Sequence, residues 1–79
     1  MKVRVDITLK TGVLDPQGEA VRHALGALGF DGVNGVRQGK VIVLDLATDD
    51  AELATTQAGQ MAEKLLANQV IENFTVTVI

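Results

Sequence analysis

The sequence predicts a single α+β domain over residues 1–79, a βαββαβ unit folded as a ferredoxin-like antiparallel sheet with two helices on one face. Three observations carry that expectation. Val3, Val5, Ile7 and Leu9 alternate with Lys2, Arg4, Asp6, Thr8 and Lys10, the period of a half-buried strand. The apolar spacing turns helical twice, from Pro16 to Leu28 and again from about Asp49 to Leu65. Alternation then returns, before and after the second helical stretch. Each half reads as a split βαβ unit, and the compact way to bury both is helices together on one face of the sheet.

The elements follow in chain order. LKTGVLDPQG, from Leu9 to Gly18, closes the first strand, turns through Gly12 and opens a helix. Asp15 can accept hydrogen bonds from the free N–H groups of the first helical turn, and Pro16 just inside it gives up an N–H that would have had no helical partner. Val21, Ala24, Leu25 and Leu28 fall on one side of this helix, and Gly29 stands where a left-handed residue commonly ends one. Val33 to Gln38 reads as a short second strand, broken by Gly35, with Gln38-Gly39 turning into a third strand over Lys40–Ala47 whose Ile42, Leu44 and Leu46 share a face. Asp49, with Glu52 three residues on, resembles a capping box. The helix it opens carries Ala54, Ala58, Met61 and Leu65 as a stripe, and Asn68 reads as a left-handed stop. Phe74, Val76 and Val78 alternate with Thr75, Thr77 and Ile79 in the last strand.

Composition narrows the function. A 79-residue chain buries only roughly 60% of its unfolded surface, and without cysteine it has no disulfide to firm it, so self-association is the remaining common route. The chain is 47% hydrophobic but only 3% aromatic, an aliphatic make-up that suits cores and interfaces better than stacking on bases or sugars. A net charge of −3 argues against nucleic acid, whose phosphates demand a basic face. No apolar run approaches the ~20 residues of a membrane span, and the alternating N-terminus is no signal-peptide core. A cytoplasmic protein is the expectation.

Catalytic chemistry is hard to assemble from these residues. Nucleophilic catalysis needs a hydroxyl or thiol beside an oriented base, but the chain has no Ser, no Cys and one histidine. His23 lies about 200° round the helical wheel from Val21, at ~100° per residue, and reads as an exposed helix residue. Gly26, Gly29, Gly32 and Gly35 recur every third residue. The nearest approach to a phosphate loop, GVRQGKV from Gly35 to Val41, has one residue too few between its glycines and leads into a strand. Asp45, Asp49, Asp50 and Glu52 read as a solvated, helix-starting acidic cluster. Lys2, Arg4 and Lys10 lack the exposed aromatics of an RNA platform, and Phe30 and Phe74 are assigned to the core. Neither a metal nor a cofactor site is expected on this chain, and no nucleic-acid or membrane partner.

One feature asks for a partner. Val41 and Val43 lie on the face of their strand opposite Ile42, Leu44 and Leu46, where a sheet covered on one side should be polar. With Ile79 they form the candidate interface, expected to build a homodimer or a higher even oligomer.

Over essentially its whole length the chain resembles the PurS family, the small subunit of phosphoribosylformylglycinamidine (FGAM) synthase. The resemblance rests on LKTGVLDPQG with the following AVRHALGALGF, on VRQGKVIVLDL, and on KLLANQVIENFTV. Members commonly carry a proline where this chain has Gln69 and an aromatic where it has Val41. The resemblance implies a bridging subunit of a glutamine-hydrolysing, ATP-dependent carbon–nitrogen ligase, with no catalytic residue of its own. It would dock the glutaminase subunit PurQ to the synthetase subunit PurL so that ammonia passes between them. The competing class is a small-molecule regulatory module of the ACT type, which shares the βαββαβ order and would use Gly12, in the loop after the first strand.

Overall fold

A computed structural model describes residues 1–79. Its elements are β1 (Lys2–Leu9), α1 (Pro16–Ala27), β2 (Lys40–Asp45), α2 (Ala51–Met61), continued by a π-helical turn over Ala62–Leu66, and β3 (Glu72–Val78). The sheet runs β2-β1-β3, antiparallel throughout. Val3 stands between Leu44 and Val78, Val5 between Ile42 and Val76, and Ile7 between Lys40 and Phe74. Residues directly opposite share a face, so these rows form the inner side. Val3, Val5 and Ile7 are fully buried there, flanked by Ile42, Leu44, Leu46, Phe74 and Val76.

The inner face is covered by α2, which packs on β3 and β1. Its contact stripe is Ala54, Ala58 and Ala62, with Ala67 beyond. Methyl-sized side chains let the helix axis come close to the branched residues beneath. The expected stripe was therefore only half right, since Met61 and Leu65 point outward and Leu65 is 83% exposed. The π-turn adds one residue to the last loop of helix, with the Ala67 N–H reaching the Ala62 carbonyl at 2.9 Å, and so brings Ala67 back to the core.

The caps differ in detail. Asp15 is the N-cap of α1 and Pro16 its first residue, as the sequence indicates, and Gly12 and Gly29 take the positive φ values of +87° and +98°. The cap of α2 is Asp50 rather than Asp49. Its carboxylate accepts from the N–H groups of Glu52 and Leu53, while its own N–H donates to the Thr48 hydroxyl. Asn68 is not left-handed. It ends the helical run through an Asx turn, its side-chain oxygen accepting from the Val70 N–H.

The α+β, ferredoxin-like class is the one expected, but residues 33–38 are not a strand. No residue from Asp31 to Gly39 makes a main-chain hydrogen bond to main chain, and the Gln38-Gly39 hairpin is open. Accordingly α1 makes at most marginal contact with the other elements. Phe30, expected in the core, is 59% exposed. Residues 11–39 thus form an arm that leaves the sheet at the end of β1 and returns at the start of β2. The molecule measures 47 × 25 × 14 Å with a radius of gyration of 15.8 Å, against about 12 Å for a compact chain of this length.

Candidate functional site

The base of the arm is a polar clasp. The Asp15 carboxylate is buried and uses both oxygens, Oδ1 accepting from the Gly18 N–H at 2.8 Å and Oδ2 from the Gln38 N–H at 2.7 Å. These two bonds, the one from Gln38 foremost, hold its pKa below the usual carboxylate value, with the Arg37 charge adding to them. Arg37 closes the other side by donating to the carbonyls of Val13 and Lys10 at 2.7 and 3.1 Å. Gly18 permits the approach, because a Cβ there would lie 2.3 Å from the Val36 carbonyl oxygen. Sequence reading found the cap but not the second bond, which depends on where residue 38 returns.

Beside Gly12 lies an open hollow lined by Thr8, Leu9, Thr11, Gly12, Arg37 and Gln38. Its one cation, Arg37, is committed to the two carbonyls of the clasp. No buried side-chain nitrogen or oxygen in the chain lacks a partner, so the hollow offers no unsatisfied group as a ligand anchor.

His23 is 73% exposed on α1, its Nε2 3.5 Å from Glu19. Glu19 is bonded to Arg22, which holds the Glu19 carboxyl below its ordinary pKa and the guanidinium above its own. This is a surface helix pair. The acidic residues do not gather into a cage, and no group of three His, Cys, Asp or Glu side chains converges.

Apolar surface is what the molecule has in quantity. On the outer sheet face Val43 stands beside Arg4 and Val41 beside Asp6; the valines are 54% and 59% exposed, and Arg4 and Asp6 are bonded to each other at 3.0 Å. Ile79 follows β3, its N–H donating to the Lys2 carbonyl. It is therefore on the far side of β1 from the two valines, and the three do not touch as one patch. The larger apolar surface was missed: Leu14, Val21, Leu28 and Phe30 are exposed along the arm. The signal was present in the stripe of α1, which was assigned to this chain's own core.

The chain is of the class of small α+β domains with apolar faces turned outward. The PurS family, phosphoribosylformylglycinamidine (FGAM) synthase, matches residues 2–79, and the chain belongs to it. It is 49% identical to the phosphoribosylformylglycinamidine synthase subunit PurS of Synechocystis, over 90% of this chain and 71% of that one. Among solved structures, Bacillus subtilis PurS superposes with a TM-score of 0.83 at 45% identity, covering 96% of this chain and 94% of that one. A chain in the structure of PurLQS from Thermotoga maritima gives 0.88 at 29% identity, covering 99% and 95%.

Proposed function

We propose that this chain is the non-catalytic bridging subunit of a multi-subunit FGAM synthase in purine biosynthesis, working in the cytoplasm. It holds a glutaminase subunit against an ATP-dependent synthetase subunit so that ammonia passes from one to the other. The observation that supports this most is the 0.88 superposition on a chain of PurLQS, an assembly in which a PurS subunit stands with two others. The side-chain inventory agrees, since no nucleophile is paired with an oriented base and the large exposed apolar groups are, Phe30 apart, aliphatic. The chemistry asks for such a part. Ammonia released into neutral water is largely protonated and is then no nucleophile, whereas two sites held in a docked, water-excluding assembly preserve it. Self-association belongs to the same reading, with Val41 and Val43 at one of its contacts.

Reconstitution tests the proposal. The isolated chain should show no glutaminase, ATPase or amidation activity. Leaving it out of a mixture of the other two subunits should abolish glutamine-driven amidation and spare much of the reaction driven by free ammonia at high pH. Full glutamine-dependent turnover without it would overturn the bridging role.

A further inference from the structure

We propose that Asn34-Gly35 is a site of spontaneous covalent modification, where the asparagine loses its side-chain nitrogen as ammonia and becomes an aspartyl or isoaspartyl residue. The reaction asks three things of a protein: a side-chain carboxamide, the next main-chain nitrogen able to reach it, and no bulky group between them. Asn34 and Gly35 meet all of these, and the other asparagines of the chain do not.

The carboxamide carbon of asparagine stands two bonds from Cα, so attack by the following main-chain nitrogen closes a five-membered ring. Both reactants are already held in one chain, which makes the step intramolecular. In a folded protein the usual obstacle is a main-chain ladder that commits the N–H and fixes the backbone. None acts here. No residue from Asp31 to Gly39 makes a main-chain hydrogen bond to main chain, and 33–38 belongs to neither helix nor strand. Asn34 and Gly35 are both exposed. Glycine leaves the attacking nitrogen uncrowded and tolerates the turned backbone of the ring; even a Cβ at Gly35 would meet nothing within 4 Å.

The remaining two asparagines, Asn68 and Asn73, show the contrast. The Asn68 side-chain oxygen accepts from the Val70 N–H and its own N–H donates to Glu72, so the group is held, and the long side chain of Gln69 follows. Asn73 lies in β3 opposite Thr8, where the ladder fixes the backbone. Phe74 follows it, packed against the core.

In the first step the Gly35 nitrogen gives its proton to hydroxide and attacks Cγ of Asn34. The Cγ–Nδ2 bond breaks, and the departing nitrogen takes a proton from water and leaves as ammonia. Water then opens the cyclic imide. Attack at Cγ restores the ordinary peptide link and leaves an aspartate, whereas attack at the main-chain carbonyl carbon leaves an isoaspartate whose chain runs through Cγ. The sum is one amide and one water giving one carboxylate and one ammonium, with nothing oxidised. Either product adds a negative charge beside Asp31. The isoaspartyl form also lengthens the main chain by one carbon ahead of Val36, whose carbonyl oxygen sits against Gly18.

Peptide mapping of protein aged in warm, mildly alkaline buffer tests the site. Trypsin, cutting after Arg22, Arg37 and Lys64, separates His23–Arg37 from Leu65–Ile79. The His23–Arg37 peptide should gain the mass difference between an amide and an acid and divide into two new species, while Leu65–Ile79 keeps both its amides. Asp31-Gly32 lies in the same peptide, but its isomerisation changes no mass, so the mass gain reports Asn34 alone. A synthetic His23–Arg37 peptide, aged in parallel, sets the clock. Protein still unconverted when that peptide has reacted would overturn the proposal, as would loss of an amide from Leu65–Ile79 first. Gly35→Ala should fold as wild type and convert several-fold more slowly; an equal rate would overturn attack by the nitrogen of residue 35.

Discussion

At the scale of single residues, Asp15 carries the most structure. An ordinary N-cap accepts Asn about as well as Asp. Here both carboxylate oxygens accept, from Gly18 and from Gln38, so the amide group of Asn would set an N–H donor against one of those two N–H groups. Asp15→Asn is therefore expected to lower the melting temperature by roughly 5 °C, nearly as much as Asp15→Ala, the shift that loss of a cap produces in a domain of this size. A melt indistinguishable from wild type would mean that one bond suffices. The pH dependence has a definite sign. The folded-state pKa of Asp15 lies below the ordinary aspartate value, so its contribution is complete above the unfolded value and is lost as pH falls through the folded one. The gap between wild type and Asp15→Ala should then stay constant from pH 7 to about pH 5 and close in more acid solution. Melting curves at pH 7, 5 and 3 check this directly.

At the scale of elements, α1 shows how far sequence alone reaches. Its start, its end and its apolar stripe were legible because each depends on residues within a few positions of one another: Asp15 and Pro16, Gly29, Val21 to Leu28. The strands of the sheet were legible for the same reason. What the stripe packs against was not, since the spacing of Val21, Leu25 and Leu28 is the same whether the surface beneath belongs to this chain or another. Residues 33–38 show the same limit, for two valines flanking Asn34-Gly35 suit a short strand without naming its partner. Two glycines in α1 separate local propensity from packing. Gly26 has open space where a Cβ would stand, so Gly26→Ala should stabilise by roughly 0.5–1 kcal/mol through helix propensity. At Gly18 the same gain is outweighed, because a Cβ would meet the Val36 carbonyl oxygen at 2.3 Å and the Asp15 carboxylate at 2.7 Å. Gly18→Ala should lower the denaturant midpoint. If both variants moved it the same way, the close approach of the arm's two sides would not govern its stability.

At the scale of the whole molecule, the outer sheet face is where a contact between copies can be tested. Its polar rows run through Lys2, Arg4 and Asp6 on β1 and Thr75 and Thr77 on β3, and only the β2 edge is apolar. The strip of Val41 and Val43, bordered by the Arg4–Asp6 pair, fits a contact between copies. The chemistry of the strip makes this testable without touching the arm. A lysine at position 43 leaves the β2 ladder intact, because its side chain stands on the solvent side, but each contact must then bury an ammonium group beside Arg4 with no new carboxylate to pair it. Val43→Lys is therefore expected to lower the mass measured by light scattering while leaving the melting temperature within a few degrees of wild type. An unchanged mass would free the valines for the synthetase or glutaminase subunit, and the same variant in the reconstituted reaction would then show it. Glutamine-driven amidation would fall while the ammonia-driven reaction held.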